Sequence, residues 1–475
     1  MFLICMTLLV ASYFTYGKYL TKCFDVNPAS DTPCKTHFDG VDYMPLPKWR
    51  AFLIQLLNIA GLGPIFGALL GATYGPVAFL WITFGGIFIG ALQDYASGMM
   101  SLHLRGLSFP EIVGKYLGLA VKQVMRGLTL FLMVLVGAVF LVGPAGILEG
   151  MTSISQNIWV WIILVYYILA TLLPIDKIIG RFYPFFGAAL FFMAIGILCV
   201  LLFGSYSIPN LTFETFRNMK INASEFPIVP TLFITIACGA VSGFHATQSP
   251  LMARCITNER QGRPVFFGAM ITESIIALIW AAMGMAFWGG VEGLNVNLAE
   301  HGNNAAWAVN LITHTTLGKV GAALALLGVV VAPITSGDTA FRSARLIVAD
   351  FLRVEQRSLR KRLYISIPLF VVAFAITLMD FDVIWQYFAW LNQTLAAISL
   401  WTVTVYLVKN KKRWIIALLP AVFMTFIVVL YILIAREGLR LDYTAGVIAT
   451  SLITAALTAL FFVWLIRRKR ARAIS

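Results

Sequence analysis

CGAVSGFHATQSP, residues 238–250, decides how this sequence folds. It follows VPTLFITIA and precedes LMAR, flanks that read as a helix built for lipid. Yet it carries Gly239, Gly243 and Pro250, together with Ser242, His245, Thr247, Gln248 and Ser249. Such residues unwind a helix and bring polar groups to mid-membrane depth. Unwound backbone survives there only when it is buried in protein or lines a wet cavity. The stretch therefore reads as a built-in break in a membrane helix.

The rest of the chain supplies the membrane. Of 475 residues, 60% are hydrophobic and 12% charged, against about a quarter charged in soluble domains. The apolar residues fall in repeated runs of about 18–25, each long enough to cross a hydrocarbon core. The fold class is an all-α polytopic membrane protein. A net charge of +14 in a soluble protein would suggest nucleic acid, but here it reads as Lys and Arg held in cytoplasmic loops. The six cysteines show no CxxC spacing and HExxH is absent, so no metal site or metalloprotease is expected. Residues 1–17 are apolar without a basic leader or an A-x-A site, which reads as a retained helix.

Thirteen spans are expected, numbered 0 to 12, at about 2–19, 50–73, 76–101, 121–148, 157–174, 183–204, 228–251, 264–289, 318–350, 363–380, 384–408, 413–435 and 442–466. Charge tests the count. The connections after even-numbered spans hold 30 of the 35 Lys and Arg. By the positive-inside rule those connections are cytoplasmic. The N-terminus is then outside, the basic tail RRKRAR (467–472) inside, and Cys23 and Cys34 face a reducing compartment where no disulfide is expected.

Span 1 breaks as span 6 does, at NIAGLGPIFGALLG (58–71). Pro64 suits the first turn of a second half-helix. The two breaks are about 180 residues apart and open two five-helix units of opposite orientation, the pattern of inverted-repeat secondary transporters. The chain then divides into 1–49 (span 0 and a cytoplasmic loop), 50–204 (first repeat), 228–408 (second repeat) and 413–475 (two further helices and the tail).

Other polar residues lie at membrane depth. Span 8 centres on ITSGDTAFRSAR (334–345), with Thr335, Ser336 and Asp338 near mid-bilayer and Arg342 as an i,i+4 partner for the Asp. Asp94 in span 2 reads either as an internal gate or as a helix-end cap. Glu273 in span 7 is either a proton carrier or a neutral glutamate bonded to a neighbouring helix. Asn392 and Gln393 in span 10 read as ties between helices. SFPEIVGKYLG (108–118) reads as a short surface helix with a Ser108–Glu111 capping box, and the 290–317 connection as an outer lid.

These residues resemble the carbon starvation protein A family of bacterial membrane transporters, in a short form. The likeness rests on DGVDYMP (39–45), IAGLGPIFG (59–67), the Asp94 segment, ACGAVSGFHATQSP (237–250), ITSGDTAFRSARLIVAD (334–350) and LNQTLAAISLW (391–401), in the family's order. The resemblance implies uptake of peptides or pyruvate and a LeuT-type five-plus-five fold, with one extra N-terminal and two extra C-terminal helices. The chain departs from the family where many members carry a His-His pair, here Ile54 and Gln55, and where many carry His before the span 2 Asp, here Gln93.

The expected function is secondary active, cation-coupled uptake of a small carboxylate-bearing nutrient (peptide, amino acid or pyruvate) across the bacterial inner membrane. An uncoupled channel or facilitator for the same solutes is the alternative. Half-helix N-termini suit a carboxylate, so Asn58, Ala60, Gly61, Gly63, Ser242, Gly243 and His245 are the expected substrate cradle. The coupling ion is a proton or sodium. By likeness to the LeuT-type fold, Thr335 and Ser336 are placed for sodium, while Asp338, Glu273 or His245 would carry a proton. No cofactor and no nucleic-acid partner are expected. With no nucleophile signature, an enzyme is not expected, and no cytoplasmic domain is available for a sensor.

Overall fold

The computed structural model describes residues 1–40, 42–172, 179–352, 354 and 358–474. Val41 of the DGVDYMP block and the expected end of span 4 at 173–174 lie outside them. Each expected span has a helical counterpart. Among the described residues, nine helices are long and apolar enough to cross a membrane, and the bent pair Lys48–Ile59 and Gly63–Tyr74 makes up to ten. The others are shorter or more polar: Gln156–Leu172, the pair Ile228–Thr235 and Gly243–Ala253, and Leu359–Ile376. Large apolar side chains such as Leu3, Phe84, Phe192, Val371 and Leu460 point outward, as lipid-facing residues do. The helices Val77–His103 and Glu259–Phe287 are mostly enclosed by their neighbours.

Both expected breaks are present. The halves of span 1 bend by 58° across Ala60–Leu62, and Pro64 sits in the first turn of the second half. Span 6 is helical to Thr235 and resumes at Gly243, with Ser242 at the N-cap position. Between them Gly239 adopts φ +86°, a left-handed conformation that glycine enters without strain.

Span 8 starts where expected: Gly318, with φ +66°, marks the kink between it and the helix that begins at Ala305. AAWAVNLI, expected in a connection, is itself helical and follows the helix Val291–Glu300. One expectation is corrected. Ser108 does cap the Phe109–Leu117 helix by position, but its side chain makes no capping bond. Glu111 is drawn away to Lys122 and Arg126, each at 2.6 Å. Two full charges compete better for a carboxylate than one backbone N–H.

The two ends of the bundle differ. At the end carrying the basic connections, residues 24–40 and 42–47 lie across the helices. Asn27 N donates to Glu259 Oε2 at 2.6 Å, Cys34 Sγ donates to the Ile256 carbonyl at 3.2 Å, and Leu46 bridges to Ile256. His103 meets Tyr406 at 3.2 Å and Glu259 at 3.6 Å. Phe24 stacks on Tyr406. These ties close that end. The opposite end holds a cavity of about 1580 Å³ lined by Phe66, Tyr74, Lys220, Thr235, Asp382 and Trp385, among others.

Candidate functional site

The two breaks pack directly against each other. A β-carbon on Gly63 would collide with Cys238, one on Gly61 with the Phe140 ring, and one on Gly243 with the Asn392 carbonyl. The small residues therefore serve close approach of backbones. Asn58, Ala60, Gly61, Gly63, Ser242, Gly243 and His245 are all buried, and none lines the cavity. The expected cradle is shut in this state.

The second half of span 6 starts inside a polar network. Asn392 Oδ1 accepts from Phe244 N at 2.7 Å and from Ser242 Oγ at 3.1 Å. Its amide donates to Cys238 Sγ at 3.5 Å. Gln393 Nε2 donates to the Phe233 carbonyl at 3.0 Å. Span 10 thus holds both sides of the break, and the Asn392 oxygen occupies the half-helix N-terminus. The two family departures join in. Gln55 Nε2 donates to Ser249 Oγ at 3.1 Å, and Gln93 Nε2 to the Ser242 carbonyl at 2.5 Å. At both positions a neutral amide ties down span 6.

His245 organises the charged part. Its Nδ1 lies 3.0 Å from Asp94 Oδ2, and its Nε2 lies 3.4 Å from Glu273 Oε2, with all three side chains fully buried. Asp94 is therefore a partner of the span 6 break. A neutral imidazole carries one N–H. Given to Asp94, it leaves the Nε2 lone pair facing a carboxylate. Among the described residues, Nε2 and both Glu273 oxygens have no well-aligned hydrogen bond. One proton, on Nε2 or on Glu273, converts this clash of acceptors into a bond. Cys238, His245 and Glu273 also bring one ligand atom each to within 4.8 Å of one another. Cys238 is already engaged by Ser242 and Asn392, which leaves the His245–Glu273 gap as the unfilled contact.

Span 8 reaches the other break. Ser336 Oγ lies 3.1 Å from the Leu57 carbonyl, 3.2 Å from that of Asn58 and 2.9 Å from that of Ala332. Three carbonyl oxygens converge on one hydroxyl. Thr335 turns back to its own helix, donating to Ala332 O at 2.8 Å. Asp338 is buried. The expected Asp338–Arg342 ion pair is not formed among the described residues, and neither residue belongs to the His245 cluster.

The sequence expectation named His245, Asp94 and Glu273 separately but did not join them. Lys220 was missed altogether, although it is one of only five basic residues assigned to the sparsely charged side.

Comparison with known proteins decides the family. The model for "Carbon starvation protein CstA" matches residues 1–143 and 141–320. The chain belongs to the carbon starvation protein CstA family. A membrane protein of Haemophilus influenzae is 45% identical over 343 residues, covering 62% of this chain and 92% of that one. The peptide transporter CstA of Bacillus subtilis is 25% identical, covering 90% and 88%. The pyruvate/proton symporter BtsT of Escherichia coli is 24% identical, covering 57% and 46%. Among solved structures, a mutant manganese transporter of Eremococcus coleocola superposes with a TM-score of 0.52 at 14% identity, covering 90% of this chain and 97% of that one. At that identity the likeness concerns the fold. The chain is accordingly a multi-pass membrane protein of a transporter family.

Proposed function

We propose that this chain is a secondary active transporter that couples the proton gradient to uptake of a small carboxylate-bearing nutrient across the bacterial inner membrane. The substrate class covers peptides, amino acids and pyruvate. The fold is read as a thirteen-helix, LeuT-type five-plus-five repeat, with the N-terminus outside and the basic tail in the cytoplasm. On this reading the cavity opens outward and residues 24–40 and 42–47 close the inner side.

The observation that carries the proposal is the buried Asp94–His245–Glu273 row beside the span 6 break. Ionisable groups at membrane depth are expensive and mark ion pathways by default. Here two carboxylates share one imidazole. The row gains or loses one proton between two sensible arrangements, and it abuts the element that must move when the site opens inward. Binding a substrate carboxylate at the span 6 N-terminus would displace Asn392 from Phe244 N and couple the proton to the break.

A sodium-coupled reading has its own observation. Hard cations favour oxygen ligands, and the carbonyls of Leu57, Asn58 and Ala332 already converge at Ser336. The experiment is uptake of labelled pyruvate and trialanine into proteoliposomes with imposed gradients. Uphill accumulation driven by a proton gradient without sodium supports the proposal. Dependence on sodium at fixed pH replaces the proton with sodium. Equilibration without accumulation leaves a facilitator.

A further inference from the structure

The outer cavity contains a lysine held in place from several directions. Lys220 N donates to Asn218 Oδ1 at 3.1 Å. On one side, Met219 N donates to the Tyr74 carbonyl at 3.3 Å. On the other, Ile221 N donates to Asn295 Oδ1 at 3.3 Å, and Asn295 Nδ2 donates to the carbonyls of Thr73 and Met219. The end of span 1, the 204–227 connection and the Val291–Glu300 helix thus fix the backbone around one cation.

The side chain is fixed as well. The Lys220 ammonium lies 5.1 Å from the centre of the Tyr74 ring and 5.2 Å from that of Phe226. Aromatic faces attract a cation but neutralise none of its charge. An ammonium has three N–H donors. One goes to Thr73 Oγ1 at 3.2 Å. Lys220 has no ion pair among the described residues. It lines the cavity, whereas the residues of the paired breaks do not.

The geometry points to Lys220 as a carboxylate-binding site in the outer cavity, where an incoming solute is held before it reaches the breaks. Asp380, Asp382 and Glu437 line the same cavity, and so do Arg436 and Arg440; both arginines are exposed, whereas Lys220 is half-buried, so among these cations Lys220 is the one best shielded from solvent. The Tyr74 and Phe226 rings and the Thr73 hydroxyl hold the ammonium in place, and a preorganised cation loses little freedom on binding. This inference rests on the proposed substrate class.

The test is calorimetric titration of the purified full chain in detergent with trialanine, trialanine amide and pyruvate. Trialanine should bind, and Lys220→Met should weaken it by about tenfold or more, the loss of a charge-assisted hydrogen bond. Lys220→Arg should stay within about threefold, since it keeps a charged donor of similar reach. Trialanine amide should bind weakly and respond little to Lys220→Met. Lys220→Gln replaces the Met variant if the latter does not elute as a single species. Equal trialanine affinity in wild type and Lys220→Met removes the Lys220 site alone. Equal weakening by Arg440→Gln replaces the site with a diffuse field of the cavity. If none of the three probes binds the wild type, the carboxylate substrate reading falls, and this site with it.

Discussion

Asp94 and His245 stand 151 positions apart and meet at 3.0 Å with both side chains fully buried. The contact joins span 2 to the second half of span 6. It sets which imidazole nitrogen faces Glu273, because the nitrogen that donates to Asp94 leaves the other with its lone pair. Asp94→Asn keeps the shape and removes the charge. Proton-driven uptake should fall by at least about tenfold, while exchange of substrate without a gradient falls less. Uptake and exchange measured on the same proteoliposomes check this. Equal loss in both would assign Asp94 to structure.

Asn392 is predicted to be a stability hot spot. Its oxygen is the acceptor for both Phe244 N and Ser242 Oγ. Asn392→Leu leaves these donors buried and should cost about 1–3 kcal/mol. Thermal unfolding followed by tryptophan fluorescence reads the shift. Asn392→Asp, which keeps an acceptor, should cost less near the acid end of the stable range, where the carboxyl is neutral.

Gly63→Ala tests the close approach of the two breaks. The added carbon meets Cys238, and overpacking of this kind costs about 1–3 kcal/mol. Cys238→Gly, which removes the β-carbon that the added methyl meets, should recover part of the loss in the double variant. A double-variant melting point no higher than that of Gly63→Ala would show that the collision is relieved elsewhere.

Trialanine affinity should depend on pH through Lys220. Burial pushes its ammonium down to about 8, and Asp382 opposes that shift. Asp380, Asp382, Glu225 and Glu437 are the acidic groups around the cavity it faces. The charged form binds a carboxylate, so affinity should be full below that value and fall as pH rises through it. In Lys220→Arg the fall should shrink to the part due to trialanine's own α-amino group, which titrates at about 7.7–8.0, because guanidinium stays charged. Titrations between about pH 6 and 9, a window bracketing the lysine, decide this.

Much of the architecture was legible in the chain. Apolar runs located the helices because a bilayer requires each span to satisfy its own backbone. NIAGLGP and CGAVSGFHATQSP gave away the breaks because glycine and proline act on the local backbone, within a turn of where they stand. Local chemistry also misled. Ser108 and Glu111 had the spacing of a capping box, and Asp338 and Arg342 that of an ion pair, but spacing along one helix says nothing of rivals on another. Glu111 found Lys122 and Arg126 instead.

The apolar helices, the two breaks and the family can all be read along the chain. Each depends on neighbours in the chain or on whole blocks of it. Partnership came from packing. It joined Asp94, His245 and Glu273 from three spans, seated Asn392 on the span 6 N-terminus, closed the breaks on each other, and turned Lys220 into the cavity. Those contacts depend on which helix faces lie together, a property of the packed bundle that no single segment carries.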